Sequence, residues 1–540
     1  MKSITIKRAV CTALIALTLS GTAVIGANAA QLDTESTVAA GESSQPSVPV
    51  LPSSYSSRDL GYVTSVKRQQ YNSCWAYASI ATMESLLLRS GIEGCDLSVN
   101  HLNMWATERS DGKGWVRSIY DFAYPSTALG YLTSWQGGVF ASDLGSDDLS
   151  DEIKGDEVPT DLARYGATAV KFLHKGEFEE IKTAIMQCGG VYSSYSNAGS
   201  CWSDDKCSYF MPADYSEGYS GHSIEVVGWD DNYSRENFVT SYGELPKSDG
   251  AWLIKNSWGS SHNKLDGFFW ISYEDGFLFS NKYNPSYTIC GFEEIDNSKK
   301  LIQNEIYGAT YEFGYINQKK MTYVNRLHFD SDYNAIDKVI FESKAEGAAY
   351  TIDFVPDGEN NTPDANTNNW TRLYSGTVDY EGYICVDIED FVYPEAGGSI
   401  AITIDNSVNG KKSTIGVGEW LTTSGEYVFI NDSKRGDSYI FQNGEMQDLM
   451  DWYEVNENDT LGGTFVIKAV TTQFYPVTLL GDTNMDGRVN IQDVTEIQRH
   501  MAEINILTGS ALKNADYNQD GKVSIEDATA IQRFLAEYTD

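Results

Sequence analysis

The stretch Gln69-Gln-Tyr-Asn-Ser-Cys-Trp-Ala-Tyr-Ala78 leads into a long apolar segment that is the strongest indication of the fold in the first half of the chain. From Cys74 the sequence continues to Leu88 without Gly or Pro and is mostly apolar, which predicts a helix. Cys74 would stand at the N-terminus of this helix, where unsatisfied N–H groups and the helix dipole favour a thiolate. Most cysteines at such positions are only small buried residues, so a nucleophile also requires a base elsewhere in the chain.

His222 is the best candidate for that base among the six histidines. It follows the turn Gly218-Tyr-Ser-Gly221 and opens a predicted strand that runs to Trp229. A second predicted strand, 251–255, ends at Asn256. The uncharged amide of Asn256 can accept a hydrogen bond from the imidazole and fix its tautomer. Cysteine, histidine and asparagine in this order therefore indicate nucleophilic acyl chemistry.

Three segments resemble the papain family of cysteine peptidases. Residues 69–78 are similar to the family's Q-G-x-C-G-S-C-W-A-F-A, residues 221–229 to its D-H-A-V-x-x-V-G-Y, and residues 252–259 to its W-x-x-K-N-S-W-G. The resemblance implies an α+β catalytic domain at 51–283, with a helical half and a β half. Catalysis in such a domain needs no cofactor.

The resemblance also implies a role for each matching residue. Cys74 is expected to be the nucleophile, His222 the base and then the acid, and Asn256 the orienting group. Trp258 is expected to screen the His222–Asn256 hydrogen bond from water. The remaining role is the oxyanion hole, formed by the Cys74 backbone N–H and a glutamine side chain.

The glutamine of the oxyanion hole has two candidates. Gln69 aligns with the family's glutamine but lies five residues before Cys74 rather than the usual six. Gln70 replaces a glycine of the family and is a rival. The family's disulfide cysteine just before the nucleophile is also absent, and Tyr71 occupies that region. We expect no long inhibitory prodomain, because residues 31–50 offer no room for one.

The N-terminus is typical of a processing segment. A basic head with Lys2, Lys7 and Arg8 precedes an apolar stretch at 9–25 and a cleavage pattern at 27–29. This predicts a signal peptide at 1–29, a linker at 30–50 and secretion to the extracellular space. The odd number of cysteines that would remain leaves at least one free thiol, and Cys201 and Cys207 could form a disulfide.

Charge and hydropathy exclude two classes of partner. The 540 residues carry a formal net charge of −37, which argues against nucleic acids and anionic membranes. No apolar run after residue 30 approaches the roughly 20 residues that a membrane span requires. We therefore expect neither nucleic-acid binding nor a membrane span.

Residues 300–472 alternate apolar and polar residues in short runs, such as 338–342 and 383–388, separated by Asn, Gly and Asp clusters. This pattern predicts a β-sandwich. The region resembles the lectin-like β domain that follows the catalytic domain in some bacterial papain-like enzymes. Trp370 and Trp452 could stack on a glycan, although a purely structural sandwich is the commoner case.

The segment 480–540, reached through a short linker at 473–479, contains an internal repeat. Residues 482–493 recur as residues 516–527, an offset of 516 − 482 = 34, and both match the D-x-N-x-D-G loop of an EF-hand. Each loop would bind one Ca²⁺ through oxygen atoms. The expected ligands are Asp482, Asn484, Asp486, Arg488 (carbonyl), Asn490 and Asp493, and Asp516, Asn518, Asp520, Lys522 (carbonyl), Ser524 and Asp527.

A helix is predicted after each loop, with one apolar face made by Val494, Ile497, Met501 and Ile504, and the other by Ala528, Ile531 and Leu535. Paired half EF-hands with Asp at the twelfth position resemble type I dockerins, which would form a small α-helical, Ca²⁺-binding domain. The resemblance implies a cohesin of a cellulosome scaffoldin as partner. Its contacts are expected at residues 491–492 and 525–526.

The sequence thus predicts a multidomain, secreted cysteine endopeptidase that a dockerin attaches to a cellulosome, with proteins or peptides as substrates. Two alternatives remain open. One is a catalytically silent papain fold that serves as a binding component, which the presence of Cys74, His222 and Asn256 argues against. The other is acyl transfer, such as transglutamination, by the same residues.

Overall fold

The computed structural model describes residues 51–281, 285–315, 317–329, 333, 335–358, 361–392, 397–419, 421–423, 426–453, 462–473, 480–484, 489–502, 504–507 and 509–536. The predicted signal peptide, its linker up to residue 50 and residues 474–479 of the second linker lie outside these ranges. The chain divides into two compact units, 1–53 and 54–540. The described secondary structure belongs to the second unit.

The first part of this unit has a helical half and a β half, as expected for the catalytic domain. Its described helices are α1 (Cys74–Arg89), α2 (Val99–Trp105), α3 (Pro125–Thr133) and α4 (Phe178–Cys188). Its described strands are β1 (Ser54–Ser56), β2 (Gly114–Trp115), β3 (Tyr165–Leu173), β4 (Val191–Asn197), β5 (Trp202–Ser203), β6 (Ser208–Tyr209), β7 (Ser220–Asp230), β8 (Ala251–Lys255), β9 (Phe268–Ser272) and β10 (Ser286–Glu294).

Helix α1 begins at Cys74, as the sequence predicts, and lies in the core. Almost all of its residues are buried, and Trp75, Met83 and Leu87 have no measurable exposure. A helix that is apolar on all sides is stable only when other elements surround it. The strands beside it follow the order β3-β10-β4-β7-β8-β9-β6-β5, so that β7 and β8, which carry the other candidate residues, are neighbours.

The middle part is a β-sandwich, which confirms the prediction for this region. Its described strands are β11 (Lys299–Ile302), β12 (Tyr311–Phe313), β13 (Lys320–Leu327), β14 (Ala335–Ser343), β15 (Ala349–Pro356), β16 (Thr371–Thr377), β17 (Gly382–Val392), β18 (Gly398–Asp405), β19 (Ile415–Glu419), β20 (Leu421–Thr423), β21 (Glu426–Ile430), β22 (Ser438–Gln442), β23 (Glu445–Asp448), β24 (Gly463–Phe465) and β25 (Ile467–Thr472). One sheet, β16-β15-β18-β13-β22-β23, packs on β11-β25-β14-β17 across a shared apolar core that includes Tyr323, Phe341 and Ile402.

The sheets of the first two parts are continuous, which the sequence did not indicate. Strand β17 pairs with β3, with Gly382 opposite Lys171 and Tyr383 opposite Val170. Gly382 has a φ of +140°, and a Cβ at this position would lie 2.0 Å from the Val170 carbonyl oxygen. Only glycine tolerates both this backbone conformation and this close approach.

A buried lysine also joins the two parts. Lys468 on β25 is 1% exposed and donates to the Ser134 hydroxyl at 2.6 Å and to the Thr133 carbonyl at 3.4 Å, both at the C-terminal end of α3. Its amine lies 3.4 Å from the buried Glu305 carboxylate. Burial lowers the pKa of Lys468, and Glu305 opposes this change. The Lys468 amine therefore caps the C-terminal end of a helix in the other domain, where hydrogen-bond donors are favoured.

The C-terminal part consists of α5 (Ile491–Met501), α6 (Gly509–Ala515) and α7 (Ile525–Leu535). Val494, Ile497, Ala528 and Ile531 are buried and form a small core, as predicted. Met501 and Leu535 lie in the predicted helices and are 45% and 37% exposed, but the prediction was wrong for Ile504, which is 69% exposed. The reason is that α5 ends at Met501, so Ile504 is not helical, and Leu535 is the last residue of α7.

All seven cysteines of the described residues are free thiols, including Cys201 and Cys207, so the possible disulfide between these two is not formed. None of the described helices combines the length and the apolar character needed to cross a membrane.

We predict that Lys468→Ala destabilises the two joined domains together. The change leaves the Glu305 carboxylate buried without its cation, and such a loss costs about 3–5 kcal/mol. Thermal and denaturant unfolding of the full chain measure it. Lys320→Ala, which removes a largely exposed ion pair with Asp405, is the control and costs about 0–1 kcal/mol. Equal effects of the two variants would contradict the prediction.

Candidate active site

The structure brings Cys74, His222, Asn256 and Gln69 together where the helical half meets the β half. Cys74 is the first residue of α1, and His222 lies near the start of β7. Asn256 directly follows β8, which runs antiparallel to β7 with Lys255 opposite Glu225. This register places the end of β8 beside the start of β7, and therefore Asn256 beside His222.

The His222 ring is held on one edge and covered on one face. Its Nε2 donates to the Asn256 Oδ1 at 2.8 Å, because an amide oxygen can only accept. The Trp258 ring stacks on the imidazole with 4.8 Å between ring centroids. Burial lowers the pKa of His222 to about 4, and the hydrogen bond to Asn256 opposes that change. The ring is thus neutral when considered alone, with Nδ1 as its basic nitrogen.

The Cys74 thiol is 6% exposed and lies beside Ser223, the residue that follows His222. Burial raises the pKa of Cys74, whereas the backbone N–H and hydroxyl of Ser223 and the backbone N–H of Trp75 lower it. Tyr192 shares a 2.8 Å hydrogen bond with the Ser223 hydroxyl. Between these described residues there is no direct hydrogen bond from thiol to imidazole; such bonds commonly tighten only when substrate binds.

Gln69 is fixed by three hydrogen bonds. Its backbone N–H donates to the Ser257 carbonyl at 2.6 Å, and its Oε1 accepts from the Ser257 hydroxyl at 2.6 Å. Its Nε2 donates to the Tyr71 carbonyl at 3.1 Å. The backbone carbonyl of Gln70 accepts from the Ser73 hydroxyl, and the Gln70 side chain is exposed. Gln69 is therefore the better-ordered of the two glutamines.

Sequence reasoning missed Ser223, Tyr192 and Ser257 as parts of this site. Ser223 and Ser257 each follow a candidate residue directly, so the quoted motifs contain them, but the motifs give them no role. Tyr192 lies on β4, about thirty residues before His222, and only strand pairing brings it there. No local pattern in the sequence could have identified it.

Two ion pairs with buried carboxylates lie near the site, one between α1 and the loop before it and one between β7 and β8. Lys67 contacts Glu84 of α1 at 2.7 Å, and Lys255 of β8 lies 3.6 Å from Glu225 of β7. Thr64 links them, since its hydroxyl donates to Glu84 at 2.5 Å and accepts from Lys255 at 2.8 Å. Burial raises the pKa of Glu225, and Lys255 opposes that rise.

The second predicted calcium loop is closed by its own carboxylates. Asp516 accepts backbone N–H groups from Asp520 and Gly521, and the buried Asp527 accepts those of Asn518 and Ser524. In the first loop, the buried Asp493 accepts the backbone N–H groups of Thr483, Asn484 and Asn490. Asp486 and Arg488 lie outside the described residues.

The predicted ligand set fits Ca²⁺ by its chemistry, because every donor is a carboxylate, amide, hydroxyl or carbonyl oxygen. Within the ranges that the structure describes, no group of three or more His, Cys, Asp or Glu side chains is arranged to hold a metal ion. Both loops therefore contain oxygen atoms suited to Ca²⁺, and their carboxylates accept hydrogen bonds from the backbone.

The two tryptophans predicted to stack on a glycan differ in their surroundings. The Trp370 indole donates to the Asp364 carbonyl at 2.7 Å, and its ring packs against Phe441. Trp452 is 46% exposed and contacts the Tyr315 ring with 5.1 Å between centroids. Glycan binding stays a prediction, for which Trp452 is the more accessible platform.

Comparison with known proteins agrees with this architecture. The papain family cysteine protease model matches residues 51–289, the lectin-like domain model residues 301–471 and the dockerin type I domain model residues 480–536. Mouse cathepsin K is 29% identical over 46% of this chain and 65% of its own length. Human cathepsin L2 is 24% identical over 39% of this chain and 57% of its own length. The chain thus spans less than two thirds of these curated relatives.

Two solved structures cover more of the chain. The clostridial cysteine protease Cwp84 after propeptide cleavage is 34% identical over 78% of this chain and 99% of that chain, with a TM-score of 0.68. The cysteine protease and lectin-like domains of Cwp84, a surface layer associated protein of Clostridium difficile, are 33% identical over 79% of this chain and 90% of that chain, with a TM-score of 0.69.

The fold and the site define a cysteine peptidase with an attached β domain. The chain belongs to the papain family of cysteine peptidases, and it carries a lectin-like domain and a type I dockerin domain. Type I dockerin domains bind calcium, and they indicate docking to a cellulosome.

We predict that His222 lowers the pH at which Cys74 reacts. In His222→Ala burial still outweighs the hydrogen bonds from Ser223 and Trp75, so the pKa of the thiol stays above its ordinary value. In the unchanged protein a proton transferred to His222 creates two adjacent opposite charges, and the thiolate is expected at a lower pH than in His222→Ala. The pH profile of Cys74 alkylation by iodoacetamide measures both. Superimposable profiles would show that the imidazole does not activate the thiol.

Proposed function

We propose that the protein is a secreted endopeptidase that hydrolyses peptide bonds through a thioester. The observation that carries the proposal is the held His222–Asn256 pair, covered by Trp258, next to a thiol at a helix N-terminus. A silent papain fold would have no physical need to bury these polar groups together, since buried polar groups cost free energy unless they are paired.

In this proposal the Cys74 sulfur attacks the carbonyl carbon of the scissile bond while His222 Nδ1 takes the thiol proton. The carbonyl oxygen becomes an oxyanion, which accepts hydrogen bonds from the Cys74 backbone N–H and Gln69 Nε2. His222 then gives its proton to the departing amine, and the C–N bond breaks to leave a thioester. Water, deprotonated by His222, attacks the thioester and releases the carboxylic acid and the thiol.

Gln69 is our choice for the oxyanion donor over Gln70. Its side-chain oxygen is held by Ser257, so the amide nitrogen, which carries two N–H groups, is its donor end. Its present acceptor, the Tyr71 carbonyl, is three residues from Cys74. A donor that is ordered before the reaction costs little reorganisation when the negative charge develops.

We further propose that the dockerin domain binds two Ca²⁺ ions and a cohesin. Two of the four predicted contact positions, Ile491 and Ile525, are 59% and 51% exposed and are the first residues of α5 and α7. Exposed apolar residues at equivalent positions of a repeat are typical of an interaction surface. Together with the predicted signal peptide, this supports an extracellular location on a scaffoldin at the cell surface, as Cwp84 is a surface layer associated protein.

Product analysis by mass spectrometry tests the peptidase proposal. The purified chain is incubated with a mixed peptide library, with and without a primary amine, and compared with Cys74→Ala. We expect cleaved peptides that carry new carboxyl termini and that are absent with Cys74→Ala. Amine-linked products in place of cleaved ones would favour acyl transfer, and no Cys74-dependent product would favour the silent binding component.

Calcium titration of the full chain tests the number of bound ions and the role of Asp527 in the second loop. We expect two ions in the unchanged protein and one in Asp527→Ala, because this change removes the twelfth-position carboxylate of the second loop. Glu526→Ala, the exposed neighbouring carboxylate, serves as the control and should keep both ions. Isothermal titration calorimetry gives the stoichiometry. Two ions in Asp527→Ala would contradict the assignment of this residue.

A further inference from the structure

We call residues 114–121 the cleft segment. It contacts the lectin-like domain, and it also contacts residues that precede and follow Cys74 in the sequence. Its first two residues form β2, which pairs with β21 of the lectin-like domain, Gly114 opposite Ile430 and Trp115 opposite Phe429. Its later residues contact the loop before Cys74 and the residue after it. The same short peptide is therefore in contact with two domains.

The lectin-like domain holds the start of the cleft segment by apolar and charged contacts. The Trp115 and Phe429 rings, both buried, lie 4.7 Å apart between centroids. Asp432 accepts from Arg109 at 2.9 Å and from Lys113 at 2.7 Å, both just before the segment. One aspartate of the lectin-like domain thus fixes two cations of the peptidase domain.

The middle of the cleft segment contacts the residue after the nucleophile. The Arg117 guanidinium lies over the Trp75 ring at 5.2 Å from its centroid. It also donates to the Asn103 and Ala106 carbonyls and to the Asp121 carbonyl at the end of the segment. Burial lowers the pKa of Arg117 to about 10, so the side chain remains a cation at neutral pH.

The end of the cleft segment contacts the loop before the nucleophile. The Tyr120 ring meets the Tyr71 ring edge-on, with 4.6 Å between centroids and 86° between planes. Tyr71 has a φ of +55°, an unfavourable conformation for a residue with a side chain, which persists only when its surroundings hold it. The Tyr71 carbonyl is the acceptor of Gln69 Nε2. The contact between Tyr120 and Tyr71 therefore influences the position of Gln69, the proposed oxyanion donor.

We propose that the lectin-like domain positions the oxyanion side of the peptidase site through the cleft segment, with Asp432, Phe429 and Tyr120 as positioning residues. The proposal rests on the proposed peptidase function. The lectin-like domain fixes where the segment starts, Arg117 fixes its middle against Trp75, and Tyr120 restrains Tyr71. Loss of the first contact lets the segment shift and loosens the loop that carries Gln69.

Asp432→Ala tests this proposal with a substitution in the lectin-like domain, away from the residues that react. We expect kcat for peptide hydrolysis to fall about tenfold, because small displacements of an oxyanion donor weaken transition-state stabilisation. KM and the rate of Cys74 alkylation by iodoacetamide should stay within about twofold, because alkylation develops no oxyanion. Asp387→Ala is the matched control: this exposed aspartate pairs with Lys338 inside the lectin-like domain. We expect its kcat to be unchanged.

Three further variants complete the test. Tyr120→Ala alters only the far end of the segment and should reproduce the selective loss of kcat, whereas Tyr120→Phe, which keeps the ring, should not. Asp432→Asn, which keeps the shape of the side chain, replaces Asp432→Ala if the latter does not fold. The proposal is overturned if Asp432→Ala leaves kcat unchanged, or if it lowers kcat and the alkylation rate equally. An unchanged chain that cleaves no peptide instead refutes the peptidase function itself.

Discussion

A hydrogen-bonded network of buried charges joins α1 to the strands and sets the geometry of the rest of the site. Glu84 on α1 and Glu225 on β7 are each 1% exposed, and each contacts a lysine. Leaving either carboxylate buried without its cation would cost several kcal/mol. The Ser85 hydroxyl of α1 donates to Glu225 at 2.5 Å, and this hydrogen bond holds the helix against β7. Cys74 lies at the end of that helix and His222 near the start of that strand. The geometry of the reactive pair therefore follows from a buried polar network that takes no part in the chemistry.

Burial of the site disfavours a charge on Cys74 alone and a charge on His222 alone. It raises the pKa of Cys74 and lowers that of His222, so neither a lone thiolate nor a lone imidazolium is favoured. The two charges compensate each other only when they form together, by proton transfer from sulfur to nitrogen. The N-terminus of α1 stabilises the negative partner, and Trp258 covers the positive one on its far side. Burial thus favours a coupled proton transfer over separate ionisation.

Features encoded within a few consecutive residues could be predicted from the sequence, whereas features that depend on distant pairing could not. The start of α1 at Cys74 follows from an apolar run, and the position of Asn256 from a strand that ends there. Tyr192 reaches Ser223 only because β4 pairs with β7. The apolar spacing of the dockerin helices identified the buried Val494 and Ile497, but it could not show that α5 ends before Ile504. Periodicity indicates a face and not the residue at which a helix ends.

The boundary between peptidase and lectin-like domains illustrates the same distinction. In sequence, the two matched regions are separated at residues 290–300, which suggests independent modules. In the structure, β17 covers the edge of β3, and Lys468 donates to the C-terminal end of α3. A peptidase domain cut at this boundary would expose an unpaired strand edge, which is prone to associate with other chains. The physical unit of folding is therefore the pair of domains, and the continuous sheet makes the lectin-like domain part of the peptidase scaffold.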